Sequence, residues 1–294
     1  MTQDPEVKPP GEASDPTRLS RLCRPDEQTA CFACCPPIRP SGYDHADHEA
    51  SVRRELLENT RALRDQGPRE RPITGMSCWG LGFLDQKGRM AGCLLHPARN
   101  QGRDLRDLTG YGEKCRRELC REAVALAELP PTLADFVLRL GQGLDSFAYS
   151  SPRKNPVFQL LAWGPDMIER LAASAGGSLD RETYFERYAF LAWDLDPGPN
   201  AFPLLLFLGD RDLEEGGRPD FLARYQAGLA AFVARHRLAV TLPLDRRPFL
   251  HELGLPSTLT AFFREALGWT RALPSQAEEI RVALTQAMET LRRE

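Results

Sequence analysis

Lysine is nearly absent from this chain. Lys8, Lys87, Lys114 and Lys154 are the only four in 294 residues, and arginine carries almost all of the positive charge. The plain source of that bias is genomic base composition, with arginine-driven recognition of anions as the other reading. Net charge is only −3, so there is no global electrostatic case for nucleic acid or for an acidic membrane surface. Long apolar runs are missing too. The longest, Ala201 to Leu208, contains Pro203 and falls far short of the ~20 residues a membrane span needs. The N-terminus shows no basic start followed by an apolar stretch, so no secretory signal is expected and the expected location is cytoplasmic. No glycine-rich loop follows a strand pattern, as a bound nucleotide would want. Nor does spacing alone single out a Ser-His-Asp set or a pair of catalytic carboxylates.

Cysteine is absent from everything beyond Cys120, and all eight cysteines lie between Cys23 and that residue. The densest stretch is Cys31-Phe32-Ala33-Cys34-Cys35-Pro36, in which three thiols fall within five residues. No hydrophobic core requires that concentration. In a cytoplasmic chain it favours metal or redox use over structural disulfides. A thiolate is a soft anionic ligand that holds zinc or iron tightly. Cys31 and Cys34 have the C-x-x-C spacing that places two sulfurs on one ion. Cys35 should fit that ion less easily, because neighbours on an extended chain point to opposite sides and Pro36 keeps Cys35 out of the helical region. Cys78, Cys93, Cys115 and Cys120 supply further thiols, and Cys93-Leu94-Leu95-His96 is a C-x-x-H spacing. Eight thiols and an imidazole exceed one four-ligand site. Two zinc sites, or one iron–sulfur cluster with spare thiols, both fit. Buried free cysteines acting as small hydrophobes, and disulfides, are the competing explanations.

The surrounding pattern predicts a mainly α protein with one β-hairpin. It reads as a Cys-rich metal-binding N-terminal module followed by a helical C-terminal domain. Residues 1–18, rich in Pro, Asp and Glu, are expected to be a disordered leader. Residues 19–121 form the cysteine module and 122–294 the helical domain. Leu19 to Pro40, with prolines 25, 36, 37 and 40, should be loop. Asp44 to Gln66 reads as a helix with Val52, Leu56 and Leu63 on its apolar stripe, stopped by Gly67-Pro68. Met76 to Leu95 reads as a hairpin. Trp79, Leu81 and Phe83 share one face, Gly80 and Gly82 leave the other bare, and Asp85-Gln86-Lys87-Gly88 makes the turn. Glu113 to Leu129 reads as one helix carrying Cys115 and Cys120 about 140° apart. Helices are then expected over Leu133–Leu140, Val157–Leu171 with a break at Gly164-Pro165, and Arg181–Leu195. Three more are traced by Phe221 to Val233, Leu259 to Leu267 and Ile280 to Leu291. The Pro- and Gly-rich stretch 199–220 reads as a long loop, and no fixed-period repeat is present.

Cys31-x-x-Cys34-Cys35, Cys78 followed by Phe83-Leu84-Asp85, Gly92-Cys93-Leu94-Leu95-His96-Pro97 and Cys115-Arg116 resemble the CxxCxxCC cysteine-cluster proteins, the YkgJ-like family. That family is described as zinc- or iron-chelating, and flagellin lysine methylases look related to it. The resemblance covers about residues 23–121 and implies a bound zinc or iron centre, not a methylase activity. The family pattern has one more cysteine three residues before the C-x-x-CC group. Here Gln28 stands there, and His96 or Cys23 is the candidate replacement.

The candidate ligands are therefore Cys31, Cys34, Cys35, Cys78, Cys93, Cys115, Cys120, His96 and Cys23. Arg99, Arg103 and Arg106, followed by Arg116, Arg117 and Arg121, form the one local concentration of positive charge. They are candidates to offset thiolate charge or to hold an acidic substrate or phosphate, though the interspersed acids argue for a salt-bridged surface. His45 and His48 read as solvated residues at a helix start, and His236 and His251 as packing or surface residues. The leading expectation is a zinc or iron–sulfur protein whose metal is mainly structural and whose helical domain binds a protein partner. The alternatives are a redox or transfer enzyme using an iron–sulfur cluster or open zinc site, and a thiol redox sensor.

Overall fold

A computed structural model describes residues 21–35, 44–71, 73, 77–117, 120–237 and 247–294, and the side chains of Ala98, Arg116 and Arg117 are also outside the description. The expected leader, Pro36, Pro37, Pro40 and Met76 lie outside these residues. The protein is mostly helical with a single two-stranded antiparallel hairpin. In chain order the elements are α1 (His48–Gln66), β1 (Leu81–Phe83), β2 (Ala91–Cys93), α2 (Gly112–Arg117), α3 (Arg121–Glu128), α4 (Pro131–Arg139), α5 (Ser146–Tyr149), α6 (Pro156–Trp163), α7 (Pro165–Ser174), α8 (Arg181–Arg187), α9 (Pro197–Leu208), α10 (Pro219–His236), α11 (Ser257–Glu265) and α12 (Pro274–Arg293). Among the described residues no helix is long and apolar enough to cross a membrane.

The chain forms two compact units. The first comprises residues 1–129 and 141–155, and the second 130–140 and 156–294. In the first, Asp47 caps α1 by accepting the Ala50 N–H at 3.3 Å, and Gly67 ends the helix with φ +70°. The hairpin pairs Leu81 with Cys93, Gly82 with Gly92 and Phe83 with Ala91. Gly88 takes φ +64°, the left-handed position its turn requires. Leu56 of α1 and Leu81, Phe83 and Ala91 of the hairpin form the buried cluster, with Val52, Phe32, Phe147, Cys35 and Cys78 packed on it.

Three features of this unit differ from the sequence expectation. The glycine face of the hairpin is not bare. A Cβ on Gly82 would meet Thr60 Oγ1 at 2.5 Å and Leu94 Cδ1 at 2.6 Å, so glycine permits other chains to close over the strand. The helix expected over 113–129 is two helices. Cys120, extended at ψ 124°, caps α3 and separates it from α2, so Cys115 and Cys120 are not disposed by one helical screw. The third is α5, a short turn capped by Asp145 accepting the Ala148 N–H at 2.8 Å, which belongs with the cysteine segment although it lies far along the chain.

In the second unit α9 packs on α11 and α12, and α10 on α12. The expected loop over 199–220 is instead α9 followed by a 3₁₀ turn, Leu213–Gly217. Pro197 and Pro199 fall in the first turn, where an N–H has no helical partner to lose. Asp196 caps Gly198 at 3.0 Å, and burial of Ala201, Leu204, Phe207 and Leu208 outweighs the single bond that Pro203 forfeits. The expected helix 181–195 stops at Arg187 and continues as a π-helical turn, Phe190–Asp194. The break at Gly164-Pro165 is where it was expected. Trp163 donates its indole N–H to Leu191 O at 2.9 Å, and Tyr225 donates to Asn200 Oδ1 at 2.9 Å, so these buried polar groups are satisfied. His236 stacks on Phe232, with centroids 4.1 Å apart, and His251 on Phe249, at 5.4 Å.

A cysteine-lined cavity as candidate metal centre

Thiols from five segments of the first unit converge on one cavity of 270 Å³. Its wall contains Cys23, Cys31, Cys34, Cys35, Cys78, Cys93 and Cys115, together with His96. Residues 23 to 35 reach it because the Cys31 N–H closes back on Cys23 O at 2.9 Å and the Cys35 N–H on Phe32 O at 3.0 Å. The second bond makes a turn of residues 32–35. Cys34 and Cys35 therefore do not project to opposite sides, as an extended chain would have them, but face the same space and hydrogen-bond each other through their side chains. Cys78 precedes β1 and Cys93 ends β2, so the hairpin register sets that pair. Cys115 comes from α2.

The segment around α5 holds the Cys31–Cys34 turn in place. Ser150 Oγ accepts the Phe32 N–H at 2.9 Å, Ser146 Oγ accepts the Ala30 N–H at 3.3 Å, and Thr29 donates to Leu144 O at 3.4 Å. Tyr149, fully buried, donates to Leu22 O at 3.2 Å. The Ser150 hydroxyl also favours the Cys31 thiolate, against the larger effect of burial. None of these residues stands out in the sequence. A serine after an aromatic, more than a hundred positions downstream, has no spacing that points to a thiol.

Several sulfurs receive backbone N–H groups from two residues onward. Ala33 donates to Cys31 Sγ at 3.4 Å, Gly80 donates to Cys78, and Leu95 donates to Cys93. Such donors favour the thiolate. Burial opposes them and wins while the thiols are protonated. It pushes Cys31 and Cys93 up to about 12 and Cys23 to about 11, and raises Cys78, Cys115 and Cys35, the last chiefly by its bond to Cys34. Cys34 is the exception, lowered to about 7, mainly because the Cys35 thiol donates to it. Burial and the Arg106 charge hold His96 below the usual imidazole value, so its ring is neutral and fit to ligate.

The remaining candidates separate. Cys120 is not in the cavity wall, and its thiol donates to Glu122 Oε2 at 3.1 Å. Gln28, where the resembled pattern has a cysteine, is exposed and also outside the wall, whereas Cys23 and His96 are in it. Arg106 is in the wall, paired with Asp104 at 2.7 Å and donating to Cys115 O at 3.2 Å. Arg99 is there too, with one nitrogen on Leu84 O at 3.0 Å. Arg103 is exposed and is not. Arg24, Tyr111 and Lys114, none of them a site candidate in the sequence, also line the space.

As placed, no three His, Cys, Asp or Glu side chains among the described residues stand close enough to share an ion. The donor set nevertheless has the chemistry of a thiolate centre: seven sulfurs and a neutral imidazole around one space, several with N–H groups already aimed at them. Comparison of the chain with protein-family models, curated proteins and solved structures found no match.

Proposed function

We propose that the cavity binds a thiolate-ligated metal centre, zinc or an iron–sulfur cluster, and that the metal is mainly structural. The convergence of Cys23, Cys31, Cys34, Cys35, Cys78, Cys93 and Cys115 on one cavity carries this reading. Ligation requires deprotonation, which the free energy of metal–sulfur bonding drives against the burial that now keeps most of these thiols protonated. The same bonding supplies the work of drawing the sulfurs into contact. A single tetrahedral zinc, with Zn–S about 2.3 Å, uses four ligands. Seven thiols and 270 Å³ suit a cluster or a pair of ions better than one ion. Such a centre would tie α2 to the Cys31 turn and the hairpin, which already meet in a small apolar cluster that includes no α2 residue. The helical unit is then the part that meets a protein partner, with Trp193, 59 % exposed and stacked on Phe185, as its contact.

The test is elemental analysis and a visible spectrum on protein purified without oxygen. Brown protein with iron and acid-labile sulfide identifies a cluster, and colourless protein with stoichiometric zinc identifies zinc. Material with neither element overturns the proposal. In that case the lowered thiol of Cys34, bonded to Cys35, favours a redox-sensing pair, which predicts reversible oxidation of metal-free protein.

A further inference from the structure

The cavity wall is one-sided in charge. Arg24, Arg99, Arg106 and Lys114 line it, and among the described residues no carboxylate does. Arg106 is committed to Asp104 and to a backbone carbonyl. Arg99, an exposed residue of the wall, is anchored by one nitrogen on Leu84 O at 3.0 Å. Arg24, on the Cys23 segment, lines the same wall, and burial, followed by the Arg24 charge, lowers the Arg99 pKa. Two guanidiniums on one wall repel each other, and an oxyanion between them converts that repulsion into attraction. Arginine's planar fork suits carboxylate and phosphate oxygens.

We propose that Arg24 and Arg99 form a binding site for a small oxyanion, a phosphate or carboxylate group, in the same cavity as the thiols. Its place beside a metal centre rests on the function proposed above, whereas the anion site itself needs only the two arginines. Such a site gives the cavity a ligand of its own and makes it more than a structural knot.

The full chain, with metal content measured in the same sample, is titrated calorimetrically with inorganic phosphate and with malonate. Saturable binding of at least one is expected, and the tighter one identifies the class. Arg24→Gln and Arg99→Gln should each weaken it about tenfold or more, as loss of a charge-assisted hydrogen bond does. Arg103→Gln, an exposed change outside the cavity, should leave it unaltered. If Arg99→Gln does not fold for want of its bond to Leu84, then Arg24→Gln and Arg99→Lys carry the test, the latter keeping the charge but not the fork. No saturable binding by the wild type, or equal affinity in the Arg24 and Arg99 variants, overturns the proposal. Metal-free wild type that binds the anion, and loses it in those variants, refutes the metal reading and leaves this one standing. Metal-replete protein that ignores both anions does the reverse.

Discussion

Replacing Ser150 by Ala tests whether the α5 segment holds the cysteine turn. Ser150 is 8 % exposed, and its hydroxyl accepts the Phe32 N–H at 2.9 Å. Alanine leaves the amide without an acceptor, a loss of about 1–3 kcal/mol. Phe32 is only half-buried, so the lower part of that range applies. The ties from Ser146, Thr29 and Tyr149 remain. A change of about 1.4 kcal/mol raises the population of locally opened turn about tenfold. The assay is alkylation of metal-free, reduced protein near pH 8, followed peptide by peptide by mass spectrometry. With its thiol pushed up to about 12, Cys31 hardly reacts while closed, so its labelling rate reports opening. The variant should label Cys31 about tenfold faster, with Cys120, outside the cavity, as the internal reference. Equal rates at Cys31 would refute the reasoning.

Gly82→Ala should destabilise the first unit by about 1–3 kcal/mol, because Thr60 and Leu94 occupy the space a methyl needs. Thr60 cannot yield freely, since its hydroxyl accepts the Phe83 N–H and donates to Leu56 O, both at 2.7 Å. A lower urea midpoint checks it, and an unchanged midpoint counts against the packing. Metal-free protein should show iodoacetamide reaction at Cys34 titrating near 7, and Cys35→Ala should move that midpoint up toward the ordinary thiol value of 9. Because folding lowers this pKa, the ionised thiol contributes stability above pH 9 that is lost as pH falls through about 7. A variant that titrates like the wild type would exclude Cys35 as the cause. In α10, Gly228→Ala gains up to about 1 kcal/mol of helix propensity. It drives a methyl into Leu291 of α12, though, and overpacking of about 1–3 kcal/mol prevails, so thermal melting should fall.

Much of this architecture can be read from local pattern. The stripe of Val52, Leu56 and Leu63, the turn ending at Gly88 and the break at Gly164-Pro165 are encoded within a few residues of where they act. Where the reading missed, a distant partner had overruled a local preference. The prolines of α9 look like a loop until burial of Leu204 and Phe207 is included. Cys34 and Cys35 look divergent until the Phe32–Cys35 turn is seen. The 113–129 helix looks continuous until Cys120 proves to be extended.

Composition and spacing alone settle that this is a mainly helical chain with a hairpin, whose thiols are confined to its first 120 residues. They do so because helical and strand periods, and the placement of cysteine, are properties of neighbours. Tertiary structure alone decided which thiols face one space, that Cys120 does not, that Arg24 joins Arg99 there, and that Ser146, Tyr149 and Ser150 hold the turn. A cavity wall gathers residues by chain crossing, and no local pattern records which segments will meet.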